Sequence, residues 1–551
     1  MIASEPPARP TAALTRRGLF QLGAAGAALA ATPLAAQSFG TGFTHGVASG
    51  EPSQASVLLW TRFVGSGESV LTWEVSDSME FLSVVASGNA AASAESDWCA
   101  KGIASGLAPN RWYYYRFVAP DGSMSDVGRT RTLPAGGTDP FRMAIFSCSN
   151  FGFGYFNAYA HAAETNDADF AVHLGDYIYE YNRGRYPSAG DTAPGRVLYP
   201  ENEIVALADY RLRYATYRAD PDLRRIHQLL PMITIWDDHE SANDSWKDGA
   251  ENHQSDSEGE WEVRKAVALR AYREWMPVSD EVYASYEIGD LATLFRLDTR
   301  LEGREQPFNL ARVLAGADSP EKAVAALTAF RTGEWASPGR TLLGMAQEGW
   351  LAQGLKNSRG SGKVWQVLAQ QVVMGQLMTP PSLVEAVGDN VPDFARRRVM
   401  AAAMAGRAGL PSNMDAWDGY PAARERLLGA AREADANLVV LAGDSHNAWS
   451  FELSHAGEKA GVEFAVQSVS SPGLEAYLGS ADPAGLARSL VSHNEGLKFA
   501  DTSQRGYSLL ELTQEKAVNE YRFTGGTRTR SSQVIATRRL ESIAGSHSIA
   551  I

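Results

Sequence analysis

The sequence predicts an α/β catalytic domain preceded by a small all-β sandwich, and three observations carry that prediction. From about Phe43 to Arg131, short β-like runs alternate with turn residues. From Phe141 onward, buried strand-like runs alternate with long amphipathic stretches, the pattern of an α/β fold. Between them, Leu133-Pro134-Ala135-Gly136-Gly137-Thr138-Asp139-Pro140 has the composition of a linker. With 551 residues, 44% of them hydrophobic and 21% charged, the chain has the means to bury a sizeable core and the length for about two to four domains.

Within the first part the runs Ser56 to Arg62, Ser69 to Val75 and Arg111 to Ala119 are expected strands. The turn Leu107-Ala108-Pro109-Asn110 leads into the aromatic run Trp112 to Tyr115, read as core of a fibronectin-like sandwich. In the second part the expected core strands are Phe141 to Phe146, Asp169 to Leu174, Met232 to Trp236, Leu291 to Leu297, Val364 to Gln370, Asn437 to Leu441 and Val462 to Val469. Amphipathic helices are expected over Ser257 to Trp275 and Lys322 to Phe330. Residues 303–340 and 380–410 have little strand character and read as surface insertions. The expected organisation is therefore an export signal over 1–36, a β-sandwich over 40–135, the catalytic domain over 140–530 and a C-terminal tail over 531–551.

The net charge of −14 disfavours nucleic acid as a main partner, because such partners demand basic stripes that neutralise phosphates. No stable nucleic-acid complex is expected. The first 36 residues are the exception, with Arg9, Arg16 and Arg17 against Glu5. Gly18 to Ala36 is an Ala, Gly and Leu run directly after Arg16-Arg17, which reads as an export signal rather than an anchor. Thr15-Arg16-Arg17-Gly18-Leu19-Phe20 resembles a twin-arginine signal, implying the twin-arginine export machinery as a partner and a periplasmic or secreted product without a transmembrane anchor in its mature form. An oxidising compartment favours paired cysteines, yet the chain has only Cys99 and Cys148.

Four expected core strands end in polar clusters: Ser147-Cys148-Ser149-Asn150, Gly175 to Glu180, Asp237-Asp238-His239-Glu240 and Gly443-Asp444-Ser445-His446-Asn447. Ligands of α/β sheets bind beyond the carboxyl ends of strands, so these loops are expected to converge. Thiol, carboxylate, phenol and imidazole together make a metal centre the economical reading. Three acids around one imidazole at 237–240 are hard to bury without a cation. Each cluster also has a plainer reading: a turn at Gly175, a satisfied histidine at 446, a disulfide or inert thiol at Cys148.

With Trp236-Asp237-Asp238-His239-Glu240, Leu297-Asp298-Thr299-Arg300, Asn413 to Tyr420 and Gln504-Arg505-Gly506-Tyr507, these clusters resemble the PhoD-like alkaline phosphatase/phosphodiesterase family over most of residues 40–525. The resemblance implies a four-layered metallophosphatase fold, a β-sandwich core flanked by helices. It also implies Fe3+ held by Cys148, Asp176, Tyr179 and His446, and Ca2+ held by Asp176, Asp238 and Asp444. Gly-Asp-x-x-Tyr is shared with purple acid phosphatases, from which this chain departs at Cys148, Asp238 and Asp444.

The expected substrate is a phosphate ester, a monoester and also a diester, attacked by a metal-bound hydroxide. A phosphodiesterase or phospholipase D-like enzyme with little monoesterase activity is the alternative. His239 is the candidate to stabilise the transferring group or protonate the leaving oxygen. Arg300 is either a donor to phosphate oxygens or the partner of Asp298 or another acid. Asn150 is either a phosphate donor or a helix N-cap. His173 and Trp417-Asp418-Gly419-Tyr420 read as packing, and Glu180 as holding a loop.

Overall fold

The computed structural model describes residues 40–380, 383, 393–411, 413–477 and 482–551. The expected export signal, part of the 380–410 insertion and Ser412 lie outside them. Before the linker run β1 (Gly42–Gly50), β2 (Ser56–Val64), β3 (Ser69–Ser76), β4 (Val84–Ala92), β5 (Cys99–Ser105), β6 (Trp112–Val118) and β7 (Gly128–Arg131). After it come β8 (Phe141–Phe146), β9 (Phe170–His173), β10 (Met232–Thr234), β11 (Ala284–Ile288), β12 (Ala292–Arg296), β13 (Trp365–Ala369) and β14 (Leu438–Ala442). The chain continues with β15 (Ala448–His455), β16 (Glu458–Ala465), β17 (Leu497–Asp501), β18 (Arg505–Leu512), β19 (Lys516–Thr524) and β20 (Val534–Ile543).

These strands form a nine-stranded sheet in the order β20-β19-β18-β8-β9-β10-β1-β2-β5, a seven-stranded sheet β11-β12-β13-β14-β16-β15-β17 and a four-stranded sheet β4-β3-β6-β7. The two larger sheets share one apolar core, in which Met143, Ile145, Val172, Ile233 and Leu510 meet Leu294, Val367, Val439, Val462 and Phe464. Strands buried on both faces read as near-continuous apolar runs, which is why β8, β13 and β14 stand out in the sequence. The outer face of the first sheet is covered by helices Asn157–Thr165, Leu207–Arg218, Pro221–Leu229 and Trp261–Trp275. Helices Met345–Gly360, Pro421–Glu433 and Pro483–His493 cover the second.

The strands that precede the polar clusters are parallel. β8 pairs with β9 and β9 with β10 in one sheet; β12, β13, β14 and β16 run side by side in the other. Their carboxyl ends therefore lie at a common edge of each sheet, and the loops after β8, β9, β10, β12, β14 and β16 meet there.

Two boundaries differ from the sequence expectation. The small domain is a sandwich of β4-β3-β6-β7 over β1-β2-β5, with Leu59, Leu71, Trp73, Tyr115 and Phe117 between them. Its second layer, however, continues into the catalytic sheet, because β1 meets β10 at Gly50 and Met232. Alternation within β1 and β2 shows which face is apolar but not which neighbour lies beside the edge. The stretch read as a C-terminal tail from 531 contains β20, which pairs with β19 over its length and brings Leu540 into the shared core. In β20 the charged Arg538, Arg539 and Glu541 mask the strand pattern.

The insertions are not independent. Helix Pro320–Thr332, started by Ser319, whose hydroxyl accepts from Lys322 N, packs Leu327 and Phe330 against Ala405, Ala408, Leu410 and Met414. Cys99 and Cys148 are both buried free thiols, so the disulfide alternative falls away. Among the described residues no helix is long and apolar enough to cross a membrane.

The joint between the sandwich and the catalytic sheet is tight. A Cβ on Gly50 would stand 2.1 Å from Pro277 O and 2.8 Å from Met232 O. Gly50→Ala is expected to cost about 1–3 kcal/mol through overpacking, read as a lowered unfolding midpoint in denaturant; an unchanged midpoint would show that the joint relaxes freely.

Candidate metal centre

The site begins with strained backbone. Cys148, Asp176, Asp444 and His446 all lie in the left-handed region, with φ of 58°, 55°, 57° and 62°. Non-glycine residues cost of order 1 kcal/mol there and persist only where their surroundings enforce them. Here the enforcement is visible. Cys148 N donates to Gly175 O at 3.1 Å, and Ser149 N to Asp176 O at 2.9 Å, stitching the loop after β8 to the loop after β9. Glu240, fully buried, accepts from Asp176 N at 3.1 Å, Tyr177 N at 2.5 Å and Asp237 N at 2.7 Å. One carboxylate thus fixes the loops after β9 and β10 together. Gly443 must lack a side chain, since a Cβ would fall 2.1 Å from Ser147 Oγ.

On one side of the site, donor atoms of Cys148, Asp176 and His446 lie within 4.8 Å of one another. The Tyr179 hydroxyl joins them, 2.9 Å from Asp176 Oδ2 and 3.2 Å from His446 Nε2. It also lies 2.7 Å from the hydroxyl of Ser471. His446 is oriented by Nδ1 donating to Pro472 O at 2.8 Å, which leaves Nε2 facing Tyr179 and Asp176. On the other side, Asp237, Asp238 and Asp444 form a second group within the same distance, and Asp176, Asp238 and His239 a third. Asp176 and Asp238 thus link the two sides.

Arg300 sits at the centre of the carboxylates. Its guanidinium is fully buried and donates from Nε to Asp237, from Nη1 to Asp415 at 2.7 Å and from Nη2 to Asp444 at 2.7 Å, with Asp238 at 3.7 Å. Arg304 adds a second pair to Asp415. Asp298 accepts backbone N–H groups from Arg300, Leu301 and Glu302, so the acid that Arg300 pairs with is not its sequence neighbour. The structure thus favours the ion-pair reading of Arg300, with each of its three side-chain nitrogens donating to a carboxylate. Asn150 likewise takes the capping alternative: Oδ1 accepts from Gly152 N at 3.0 Å at the start of a 3-10 turn. His239 is clasped by Glu180, which accepts from Nδ1 at 2.6 Å. His173 is core, its Nε2 2.8 Å from Tyr159 Oη and its pKa pushed down to about 3 by burial.

Burial and mutual repulsion govern the protonation of the site. Burial pushes the Cys148 thiol and the Tyr179 phenol well above their usual values, and the Asp176 carboxylate adds to both. Burial likewise raises Asp444 to about 7 and Asp237 well above the carboxylate range, against the pull of Arg300. At Asp238 burial is outweighed by Arg300, His239 and the Asp244 N–H, which hold the carboxyl low. At His239 burial is outweighed by Asp238, Glu180 and Asp176, which raise the imidazole well above its ordinary value.

The donor set fits metal ions. A thiol, a phenol and an imidazole converge on one face of Asp176 and carboxylates on the other, buried except for the half-buried His446 and Asp444, and the Asp176 Oδ1 and Asp237 Oδ2 atoms are buried without a hydrogen-bond donor. A cation reverses the burial penalty on thiolate and phenolate by supplying the missing positive charge. All six predicted metal ligands, Cys148, Asp176, Tyr179, Asp238, Asp444 and His446, are brought together. Sequence reasoning gave no role to Glu240, Asp415 and Ser471. Ser471 had a signal, as part of a Ser-rich fifth polar cluster following β16. Asp415 had only its place in the Asn413 to Tyr420 motif, because the tertiary fold alone brings its loop to Arg300.

Comparison with known proteins completes the description. Residues 143–521 match the family described as PhoD-like phosphatase, and residues 27–134 match the PhoD-like phosphatase N-terminal domain. Alkaline phosphatase D of Bacillus subtilis (strain 168) is 34% identical over 508 residues, spanning 87% of this chain and 77% of that protein. A solved structure described as that of PhoD superposes with a TM-score of 0.74 at 29% identity, covering 92% of this chain and 91% of the other. The chain therefore belongs to the PhoD-like phosphatase family and is a phosphoric ester hydrolase of the alkaline phosphatase D type.

Proposed function

We propose that the chain is an exported, metal-dependent phosphoesterase that hydrolyses phosphate monoesters and also diesters. In this reading Fe3+ is held by Cys148, Asp176, Tyr179 and His446, and Ca2+ by Asp176, Asp238 and Asp444. The observation that carries it is the asymmetry of the donor set about Asp176. Sulfur, phenol and imidazole lie on one side, suited to a strong Lewis acid, and carboxylates on the other, suited to a hard cation. Twin-arginine export and a periplasmic or secreted location are supported by Arg16-Arg17 and the apolar run that follows. Helices on the outer faces of the paired sheets support the four-layered metallophosphatase reading, and the β4-β3-β6-β7 layer over β1-β2-β5 the fibronectin-like one.

When bound, the cations activate water and neutralise charge on the phosphoryl oxygens. The chain supplies the rest. Glu240 and the left-handed backbone at Cys148, Asp176, Asp444 and His446 hold the ligand atoms in place before substrate arrives, so little reorganisation is left for the reaction. Arg300 spaces the Asp237 and Asp444 carboxylates and does not reach outward to substrate. Asn150 fixes the loop that carries Cys148. His239, whose ring lies beside Tyr179 with centroids 4.2 Å apart, is the residue placed to donate a proton to the leaving oxygen.

Initial rates on an aryl phosphate monoester and its matching diester, with iron-loaded enzyme in calcium at alkaline pH, test the proposal. Turnover of the monoester, with slower turnover of the diester, is expected. Turnover of the diester alone would make the chain a phosphodiesterase or phospholipase D-like enzyme, and turnover of neither would contradict the proposal. Asp238→Ala is expected to lower kcat/KM on the monoester by at least about 10³-fold, since a ligand that also belongs to the shared carboxylate group is lost; retention of most activity would exclude the two-cation account. Tyr179→Phe should abolish the visible absorption of a phenolate bound to ferric iron, and an unchanged spectrum would remove Tyr179 from the ligand set.

A further inference from the structure

Glu180 is fully buried in the loop after β9, one residue beyond Tyr179, and is not among the proposed metal ligands. Its carboxylate accepts three hydrogen bonds, from His239 Nδ1 at 2.6 Å, Asn243 N at 2.9 Å and Asn252 Nδ2 at 2.8 Å. The two residues beside it also touch the same imidazole: the Tyr179 ring centroid lies 4.2 Å from that of His239 and the Tyr181 ring centroid 5.4 Å from it, inclined at 62°. The backbone of this segment is gripped in turn by the buried Arg213, which donates to Tyr179 O and, at 3.1 Å, to Tyr181 O. Three consecutive residues thus form a rigid holder for one side chain contributed by the loop after β10.

We infer that Glu180 is a positioning residue for the ester's leaving group: by engaging His239 Nδ1 it fixes the ring so that Nε2 is presented to the leaving oxygen. The inference rests on the phosphoesterase reading above and adds to it the residue on which the proton donor depends. A ring nitrogen of His239 lies within 4.8 Å of carboxylate oxygens of Asp176 and Asp238, so the imidazole borders the reacting centre. With Nδ1 held by Glu180, Nε2 is the nitrogen free to act there. In the step this serves, the bond from phosphorus to the leaving oxygen breaks and its electron pair stays on that oxygen, which takes the Nε2 proton. Water supplies the oxygen of the new bond to phosphorus, and the proton it sheds restores the imidazole. Such help matters most when the departing alcohol is a poor leaving group and little when it is a stabilised phenolate. The loop-holding role read for Glu180 from the sequence is kept, through Asn243 N and Asn252 Nδ2, and the holding of a ring is added to it.

The test is the dependence of kcat/KM on the leaving group, measured with the metal-loaded full chain on phosphate monoesters from nitrophenyl to simple alkyl. Glu180→Gln, which keeps the size of the side chain, is expected to lose about 10²-fold on the alkyl ester and less than about threefold on the nitrophenyl ester. The double variant Glu180→Gln with His239→Ala should be no slower than His239→Ala alone, because the two residues act as one unit. Glu180→Asp, which retracts the carboxylate by one methylene, serves as a second variant with the same expected direction. A loss that is uniform across the series, or losses that multiply in the double variant, would overturn the inference while leaving the phosphoesterase reading intact. A wild-type chain inert on every ester would overturn both.

Discussion

Asp176, Asp237, Asp238 and Asp444 approach one another where water is largely excluded, and their mutual repulsion is the problem the surrounding structure has to solve. Two unit charges 4 Å apart interact by about 4 kcal/mol at an effective dielectric of about 20, so four carboxylates left to themselves would take up protons or drive the loops apart. Arg300 meets part of this cost from within, with three of its nitrogens on Asp237, Asp415 and Asp444. One guanidinium does not balance the cluster, as the raised Asp237 and Asp444 show. The remaining deficit of positive charge is what a metal centre supplies, and it is the physical reason that the thiol of Cys148 and the phenol of Tyr179 stand beside carboxylates at all.

Everything around the cluster serves to keep it from relaxing. Parallel strands in two sheets bring the loops to one edge, and the Glu240 carboxylate ties two of those loops through three backbone N–H groups. Left-handed backbone at four ligand-bearing residues aims their side chains inward at a cost in conformational energy. The joint of β1 to β10 at Gly50 makes the small sandwich a continuation of the catalytic sheet rather than a separate appendage. The site is therefore supported from both sides of the nine-stranded sheet.

Much of this was legible in the sequence, and the limits have physical causes. Runs such as Phe141 to Phe146 and Val364 to Gln370 are apolar but for Arg142, Gln366 and Gln370 because their strands are covered on both faces, so their places could be read directly. A metal centre was legible because a thiol, a phenol, carboxylates and imidazoles cluster at strand ends, while the set of six ligand candidates came with the family resemblance. β20 escaped notice because an edge strand with charged residues resembles a polar tail. Arg300 was singled out, but whether a guanidinium faces substrate or is consumed by acids depends on Asp237, Asp415 and Asp444, which arrive from three other loops. The partner of Asn150 was settled by local geometry, since the cap is made two residues away.

The central claim is that one buried carboxylate, Asp176, belongs at once to a sulfur-, phenol- and imidazole-bearing cation site and to a carboxylate-bearing one. The measurement that tests it most directly is the metal content of the purified wild-type chain and of Asp176→Asn by elemental analysis, after both have been exposed to iron and calcium and freed of loose ions. The account predicts one iron and at least one calcium per wild-type chain and a loss of both in the variant. Wild-type protein without stoichiometric metal, or a variant that keeps both ions, would contradict it.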